Sequence, residues 1–247
     1  EDVRPLLPEL HKMGIDTRGM VFNQEKTNRA WQIFQPGDLR VEVMRDPAIP
    51  LRQAIPDFKR LPEQYLKAAG YHILWNGEDR QLFDLLEKIR WENPTCAIVL
   101  EPSPNDAGKP LDRFKGIFPL IDGFSPSLSE AQSILKINLP EEIIRSFLRL
   151  GCRAVALRLG SRGSLAGDRT GKIYCIPPAD ANVVDVTGAG NAYAGGWLCG
   201  LIQHKPMPEC LGMAAVSASF EIEQYGLCHF TDEKKTIRDV RLTKVME

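Results

Sequence analysis

From residue 71 onward the chain alternates short apolar runs with stretches of helical periodicity. The apolar runs are 71–75, 96–100, 118–121 and 153–159, each of a length that suits a strand buried on both faces. Apolar positions at helical spacing fill 79–90, a segment near 128–137, and 141–150, where Gly151 is the stop. Two shorter strands are expected near 163–167 and 172–176, and helices at 189–203, 207–225 and about 231–240. This alternation predicts an α/β fold with a mostly parallel sheet covered by helices. In such sheets chemistry gathers at the carboxyl ends of the strands. The segments that follow the strands are Asn76-Gly77-Glu78, Glu101-Pro102-Ser103, the stretch 122–127, and Gly160-Ser161-Arg162-Gly163.

The first third reads differently. Residues 3–13 predict a short helix closed by Gly14. Three strand-like runs follow at 20–22, 29–34 and 39–44, with Pro36-Gly37-Asp38 as a turn, which predicts a small antiparallel ribbon. Prolines at 47, 50, 56 and 62 exclude one regular element over 46–63.

Composition narrows the function classes. The chain has 247 residues, 43% of them apolar and 26% charged, as expected of one globular domain. Lys plus Arg is 31 against 32 Asp plus Glu, so nothing points to a nucleic-acid surface or a polybasic anchor. No apolar stretch reaches the roughly 18 residues that span a bilayer. The six cysteines form no C-x-x-C pair and no zinc spacing. Cys96, Cys152, Cys175 and Cys199 lie beside or within apolar segments, which predicts reduced, buried thiols and an intracellular protein, cytoplasmic or inside an organelle. His11, His72, His204 and His229 are scattered and read as core or surface residues rather than ligands.

The most informative stretch is 183–200, VVDVTGAGNAYAGGWLCG. A turn, Asp185-Val186-Thr187-Gly188-Ala189-Gly190, runs straight into an apolar helix. Its glycines let N–H groups converge, and the helix adds the positive end of its dipole. Such a turn suits the charge that builds on a phosphoryl group in transfer. The plainer alternative is a glycine turn that packs a helix closely. Asp185 is placed to orient the turn by accepting backbone N–H groups. Glu101, at the end of a buried run, needs a task or a partner, because a buried carboxylate is costly. Glu130 reads either as support for a metal through water or as a first-turn carboxylate on a helix dipole.

DVTGAGNAYAGG resembles the D-T-x-G-A-G-D-x-F-x-x-G signature of the ribokinase-like, or PfkB-type, carbohydrate kinases. The 20–44 ribbon is similar to that family's β lid. Ser127-Leu128-Ser129-Glu130 resembles its N-x-x-E segment, and LRLGSRGSLA (157–166) its T-x-G-x-x-G nucleotide loop. The resemblance implies one domain over 1–247, with lid strands within about 18–45 and an α/β core over about 46–247. It implies ATP and Mg2+ as cofactors, with nucleotide at Gly160, Ser161, Gly163 and Thr187. Gly188, Ala189 and Gly190 would form the anion hole. Magnesium would be supported by Glu130 through water and, more weakly, by Glu101. AAVSASFEIEQYG (214–226), LEPSP (100–104) and Asn191 bring the chain nearest to a branch of fungal maintenance-of-killer-like PfkB-domain proteins.

Three departures bear on activity. The family's catalytic base is the Asp of G-A-G-D, and here that position is Asn191. The Asn of N-x-x-E is Ser127. The N-terminal sugar-binding strands and their G-G-x-x-x-N segment, which would precede Glu1, either lie outside the given sequence or are absent. Two readings follow. One is an ATP-dependent kinase of a sugar-like alcohol, slowed by Asn191. The other is an inactive PfkB-fold binding or scaffold subunit. The partners implied are a nucleotide and a small sugar-like substrate, with either a homodimer through the lid or a place in a larger complex.

Overall fold

The computed structural model describes residues 3–22, 27, 29–35, 39–45, 61–75, 79–102 and 108–247. They fall into two compact units, one within 1–67 and the other over 68–75 with 79–247. The expected turn at 36–38, Asn76-Gly77-Glu78, Ser103 and most of the proline-rich 46–63 lie outside the described residues.

In the first unit a 3-10 turn, Arg4–Leu6, runs into helix α1 (Leu7–Lys12), and Gly14 leaves it in the left-handed region at φ +77°. Strands β1 (Ala30–Gln35) and β2 (Leu39–Met44) pair antiparallel, with Ala30 opposite Met44 and Gln35 opposite Leu39. The alternation of a strand puts Trp31, Ile33, Val41 and Val43 on one face of this ribbon, and all four are exposed. On the other face Gln32 Nε2 donates to Glu42 Oε2 at 2.7 Å. The strand expected at 20–22 does not form. The Met20 N–H instead closes a turn onto Thr17 O at 3.0 Å. That turn is tied to a 3-10 segment (Glu63–Lys67), whose Tyr65 hydroxyl donates to Asp16 O at 2.8 Å.

The second unit is built on a six-stranded sheet: β3 (Gly70–Leu74), β4 (Ala97–Glu101), β5 (Gly123–Phe124), β6 (Ala154–Arg158), β7 (Ser164–Asp168) and β8 (Ile173–Ile176), hydrogen-bonded in that order. The first four strands run parallel. β7 and β8 follow through tight turns and are therefore antiparallel. The helices that follow and separate the strands are α2 (Asp79–Glu92), α3 (Arg113–Ile117), α4 (Leu128–Leu135), α5 (Pro140–Arg149), α6 (Ala189–Ile202), α7 (Met207–Glu221) and α8 (Asp232–Met246). The sheet is covered on both sides. Ala166 of β7 belongs to the core formed with α6 and α7, while the next residue, Gly167, faces Ile144 of α5.

The run 118–121 is a 3-10 turn over Phe118–Leu120 rather than a strand, and the sheet is joined two residues later by Gly123–Phe124. Pro119 has no N–H to give a ladder. The aromatic run is used for packing instead: Phe118 stacks on Phe114 at 4.7 Å, and Phe124 meets Phe147 edge-on at 5.0 Å. Gly123 is required at β5 because a Cβ there would stand 2.5 Å from the Trp197 ring of α6. α6 and α7 approach equally closely, with Gly196 facing Met213 O and Ala214 Cα.

All six cysteines are free. Cys96 and Cys152 are buried as expected, and burial pushes the Cys152 thiol up to about 12. Cys175 and Cys199 are exposed, contrary to the expectation from their apolar neighbours. Cys175 points outward on the edge strand β8, and Cys199 lies on the outer stripe of α6. Among the described residues no helix is long and apolar enough to cross a membrane.

Candidate functional site

Strands β4 and β6 end where helices α4 and α6 begin, and the segments singled out in the sequence meet there. At the entry to α6 the backbone is fixed from both sides. Val184 and Asp185 donate their N–H groups to Ile222 O at 2.8 and 3.2 Å. Asp185 Oδ1 accepts the Thr187 N–H at 2.9 Å, the orienting role expected of it. Gly188 sits at φ +87° as the N-cap, and a Cβ there would stand 2.7 Å from Glu221 Oε1. Glycine is thus needed twice over, for its torsion and for space.

No side chain caps α6. The Ala189 N–H turns back to Val186 O at 3.3 Å, and the Ala192 N–H reaches Gly188 O at 2.9 Å. The amides of Gly190 and Asn191 lie between these two, in the first turn, where a helix has no internal acceptor to offer. Of the 188–190 set expected from the sequence, the Ala189 amide is spent on Val186 O, while the Gly190 amide is left without an intrahelical acceptor. Thr187 and the Asn191 side chain are exposed at this end.

Gly160, Ser161 and Arg162 form a 3-10 turn that joins β6 to β7. Gly160 and Gly163 both have positive φ, at +63° and +82°. Leu159 N–H donates to Gly163 O at 2.8 Å, and a Cβ on Gly163 would strike Ile176 O at 2.2 Å. The two glycines are thus accounted for by a tight hairpin clamped against β8. This geometry leaves Ser161 and Arg162 exposed at the strand end.

The carboxylates converge on a residue that the sequence reading did not single out. Arg158, the last residue of β6, extends between Glu101 at the end of β4 and Glu130 in the first turn of α4. Its Nη1 lies 2.6 Å from Glu101 Oε2, and its Nη2 lies 3.4 Å from Glu130 Oε2. On the far side His72 Nε2 is hydrogen-bonded to Glu101 Oε1 at 2.6 Å. Glu101 is 3% exposed. Burial pushes its carboxyl up, but the His72 bond and the Arg158 charge outweigh this and hold it below the usual carboxylate range. Glu130 also completes a capping box. It accepts the Ser127 N–H at 2.7 Å and gives its own N–H to Ser127 Oγ at 3.3 Å. The helix-dipole reading of Glu130 is therefore realised, with an ion pair added.

Arg158 also reaches the α6 turn. A Cβ on Gly190 would stand 2.0 Å from Arg158 Nη1, so the absence of a side chain at 190 makes room for the guanidinium. Arg158 Nε is buried without a hydrogen-bond partner among the described residues. The sequence does carry a signal for this residue. A cation closing an apolar strand before a glycine raises the same question that Glu101 raises, and the two residues answer each other.

The donor set tests the expected cofactors. The α6 entry fits a phosphate, with two amides, a dipole end and no side-chain cap. The carboxylates do not fit a divalent cation, because Glu101 and Glu130 both face a guanidinium. Among the described residues no group of three or more Asp, Glu, His or Cys is gathered for a metal. The carboxylates nearest the turn are also engaged. Asp185 holds Thr187, Glu101 holds Arg158 and His72, and Glu221 Oε2 accepts the Cys228 N–H at 3.3 Å.

Comparison with known proteins agrees with this fold. The chain belongs to the pfkB family of carbohydrate kinases, whose model matches residues 4–234. Ribokinase of Arabidopsis thaliana is 32% identical over 222 residues, which are 85% of this chain and 49% of the relative. Cytidine kinase of Thermococcus kodakarensis is 26% identical over 168 residues, 67% of this chain and 59% of the relative. The chain thus spans about half to six-tenths of the length of these two. Among solved structures, a nucleoside kinase of Burkholderia thailandensis in complex with inosine superimposes with a TM-score of 0.75 at 16% identity, covering 98% of this chain and 77% of that one. Arabidopsis thaliana ribokinase complexed with ribose and ATP gives 0.63 at 21% identity, covering 91% and 70%. These structures share the α/β fold with its mostly parallel sheet.

Proposed function

We propose that this chain carries the phosphate-binding half of an ATP-dependent kinase that acts on a sugar-like alcohol, slowed by Asn191 at the base position. The observation that carries the reading is the uncapped start of α6, opened by Gly188, with the Gly190 and Asn191 amides left without a backbone acceptor. ATP, when bound, supplies the phosphoryl group. The two amides and the helix dipole stabilise the charge on that group. Thr187, Gly160, Ser161 and Gly163 are assigned to the nucleotide side, since they stand at strand and helix ends facing the same region of the sheet. The Asn191 amide orients the acceptor hydroxyl by a hydrogen bond but cannot take its proton. Proton loss then falls late, after a loose transition state. Asn191 also supports placing the chain in the branch with asparagine at this position. The names of its relatives, ribokinase and cytidine kinase, support a sugar or nucleoside as acceptor.

Gly188→Val is the direct test. Valine at φ +87° is strained and meets Glu221, so the turn must reshape. ATP binding measured by calorimetry should weaken by about tenfold or more. An unchanged affinity would remove the α6 entry as the phosphate site.

The apolar ribbon face of Trp31, Ile33, Val41 and Val43 supports a homodimer formed through the lid. Two strands alone are marginally stable in water, and covering this face supplies what they lack. Trp31→Asp should then turn a dimer into a monomer in light scattering. A wild-type chain that is already monomeric rules this out. Free cysteines, three of them buried, support a reducing intracellular compartment.

A further inference from the structure

A strand-end carboxylate, Glu101, and a carboxylate in the first turn of α4, Glu130, are a donor set of the kind that holds a divalent cation beside phosphate oxygens. Here the space between them is filled by the chain itself. Arg158 spans Glu101 (2.6 Å) and Glu130 (3.4 Å) and is only 14% exposed. Gly190 has no Cβ, which lets the guanidinium pass against the first turn of α6. Glu101 is braced from behind by His72, and Glu130 by the backbone of Ser127. Neither carboxylate is therefore at liberty to turn toward a metal.

Magnesium demands near-octahedral oxygen ligands and is usually held by one or two carboxylates together with phosphate oxygens. A guanidinium in that place repels it and consumes the ligands. The same guanidinium is itself a phosphate partner, planar and permanently charged. Its buried Nε, without a hydrogen-bond partner among the described residues, leaves the group with donor capacity that the two carboxylates do not use.

We propose that Arg158 is the resident cation of this site: it takes the place of a divalent metal between Glu101 and Glu130, and the chain engages its phosphate ligand without one. The proposal rests on the reading of the α6 entry as a phosphate site, and the experiment separates the two. Manganese binding to the nucleotide-free protein is followed by electron paramagnetic resonance, for the wild type and for Arg158→Thr and Arg158→Lys. ATP binding is followed by calorimetry in EDTA and in magnesium.

The wild type and Arg158→Lys should bind no manganese at this place. Arg158→Thr, which frees both carboxylates, should gain a site that is lost again on adding Glu130→Gln. Wild-type ATP affinity in EDTA should lie within about threefold of that in magnesium. In Arg158→Thr it should fall by at least about tenfold in EDTA, the worth of one charge-assisted contact, and recover in part with magnesium. A wild-type manganese site removed by Glu130→Gln overturns the proposal, as does ATP binding that collapses in EDTA. Should Arg158→Thr fail to fold, the wild-type and Arg158→Lys measurements still decide. If ATP binds under neither condition, the nucleotide reading falls, and the manganese result alone decides whether Arg158 is the resident cation.

Discussion

Asn191→Asp should raise ATP turnover by up to about 10²–10⁴-fold where proton transfer limits the rate, the usual contribution of a positioned general base. Residue 191 stands in the first turn of α6 with an exposed side chain, beside the amides proposed to receive phosphoryl charge. Among the described residues no other carboxylate near the turn is available to replace it. Glu101 is held ionised by Arg158 and His72 and is a poor proton acceptor for that reason. Asp185 and Glu221 are occupied by backbone N–H groups. The measurement is turnover of both forms against a panel of sugars and nucleosides. A fast Asn form that the Asp form does not exceed would mean that the base lies elsewhere. Silence in both forms while ATP still binds would favour a binding or scaffold role.

The second large effect concerns stability. Glu101→Ala removes the buried partner of Arg158 and leaves a guanidinium with little solvent and only the longer Glu130 contact. Breaking a buried pair from one side costs about 3–5 kcal/mol, which urea unfolding would register directly. Glu101→Gln keeps the shape and the His72 contact and should cost less. A loss below about 1 kcal/mol in Glu101→Ala would place the pair among surface-like contacts. The same carboxylate sets a pH dependence. Its folded pKa lies below the unfolded reference of 4.5, so the unfolded chain takes up the proton first as pH falls. The stabilisation is therefore complete above about pH 4.5 and is lost as the pH drops below that value through the folded pKa. Glu101→Gln should flatten this limb of the acid titration.

Much of the layout was legible because local pattern and tertiary use agree. The run 96–100 became Ala97–Glu101, 153–159 became Ala154–Arg158, and the turn at 188 opened a helix that ends at Ile202, one residue short of the expected end. The failures share a cause. At 118–121 hydrophobicity predicted a strand, but Pro119 and the stacking of Phe118 on Phe114 turned the same residues into a packed corner. At 20–22 the amide went to a local turn. For Cys175 and Cys199, apolar neighbours did not decide which face of an element each thiol occupies. The role of Arg158 was hidden because it is a matter of meeting. Four residues far apart in the chain, His72, Glu101, Glu130 and Arg158, come together only when strand ends and helix starts align. The glycines at 188 and 190 were legible as a motif, whereas the reasons for them, room for Glu221 and for Arg158, are tertiary.

The close seating of α6 has a thermodynamic consequence for anything that binds at its start. Gly196 lies against the α7 backbone, Gly200 against Cys210, and Trp197 fills the space under Gly123. These contacts anchor the later turns of the helix, and its start is set against Glu221 at Gly188 and Arg158 at Gly190. The entropy of aligning two amides and a dipole toward an anion is therefore surrendered when the chain folds. A ligand arriving at Gly190 and Asn191 meets donors that are already oriented, and little of its binding free energy is diverted into ordering the protein.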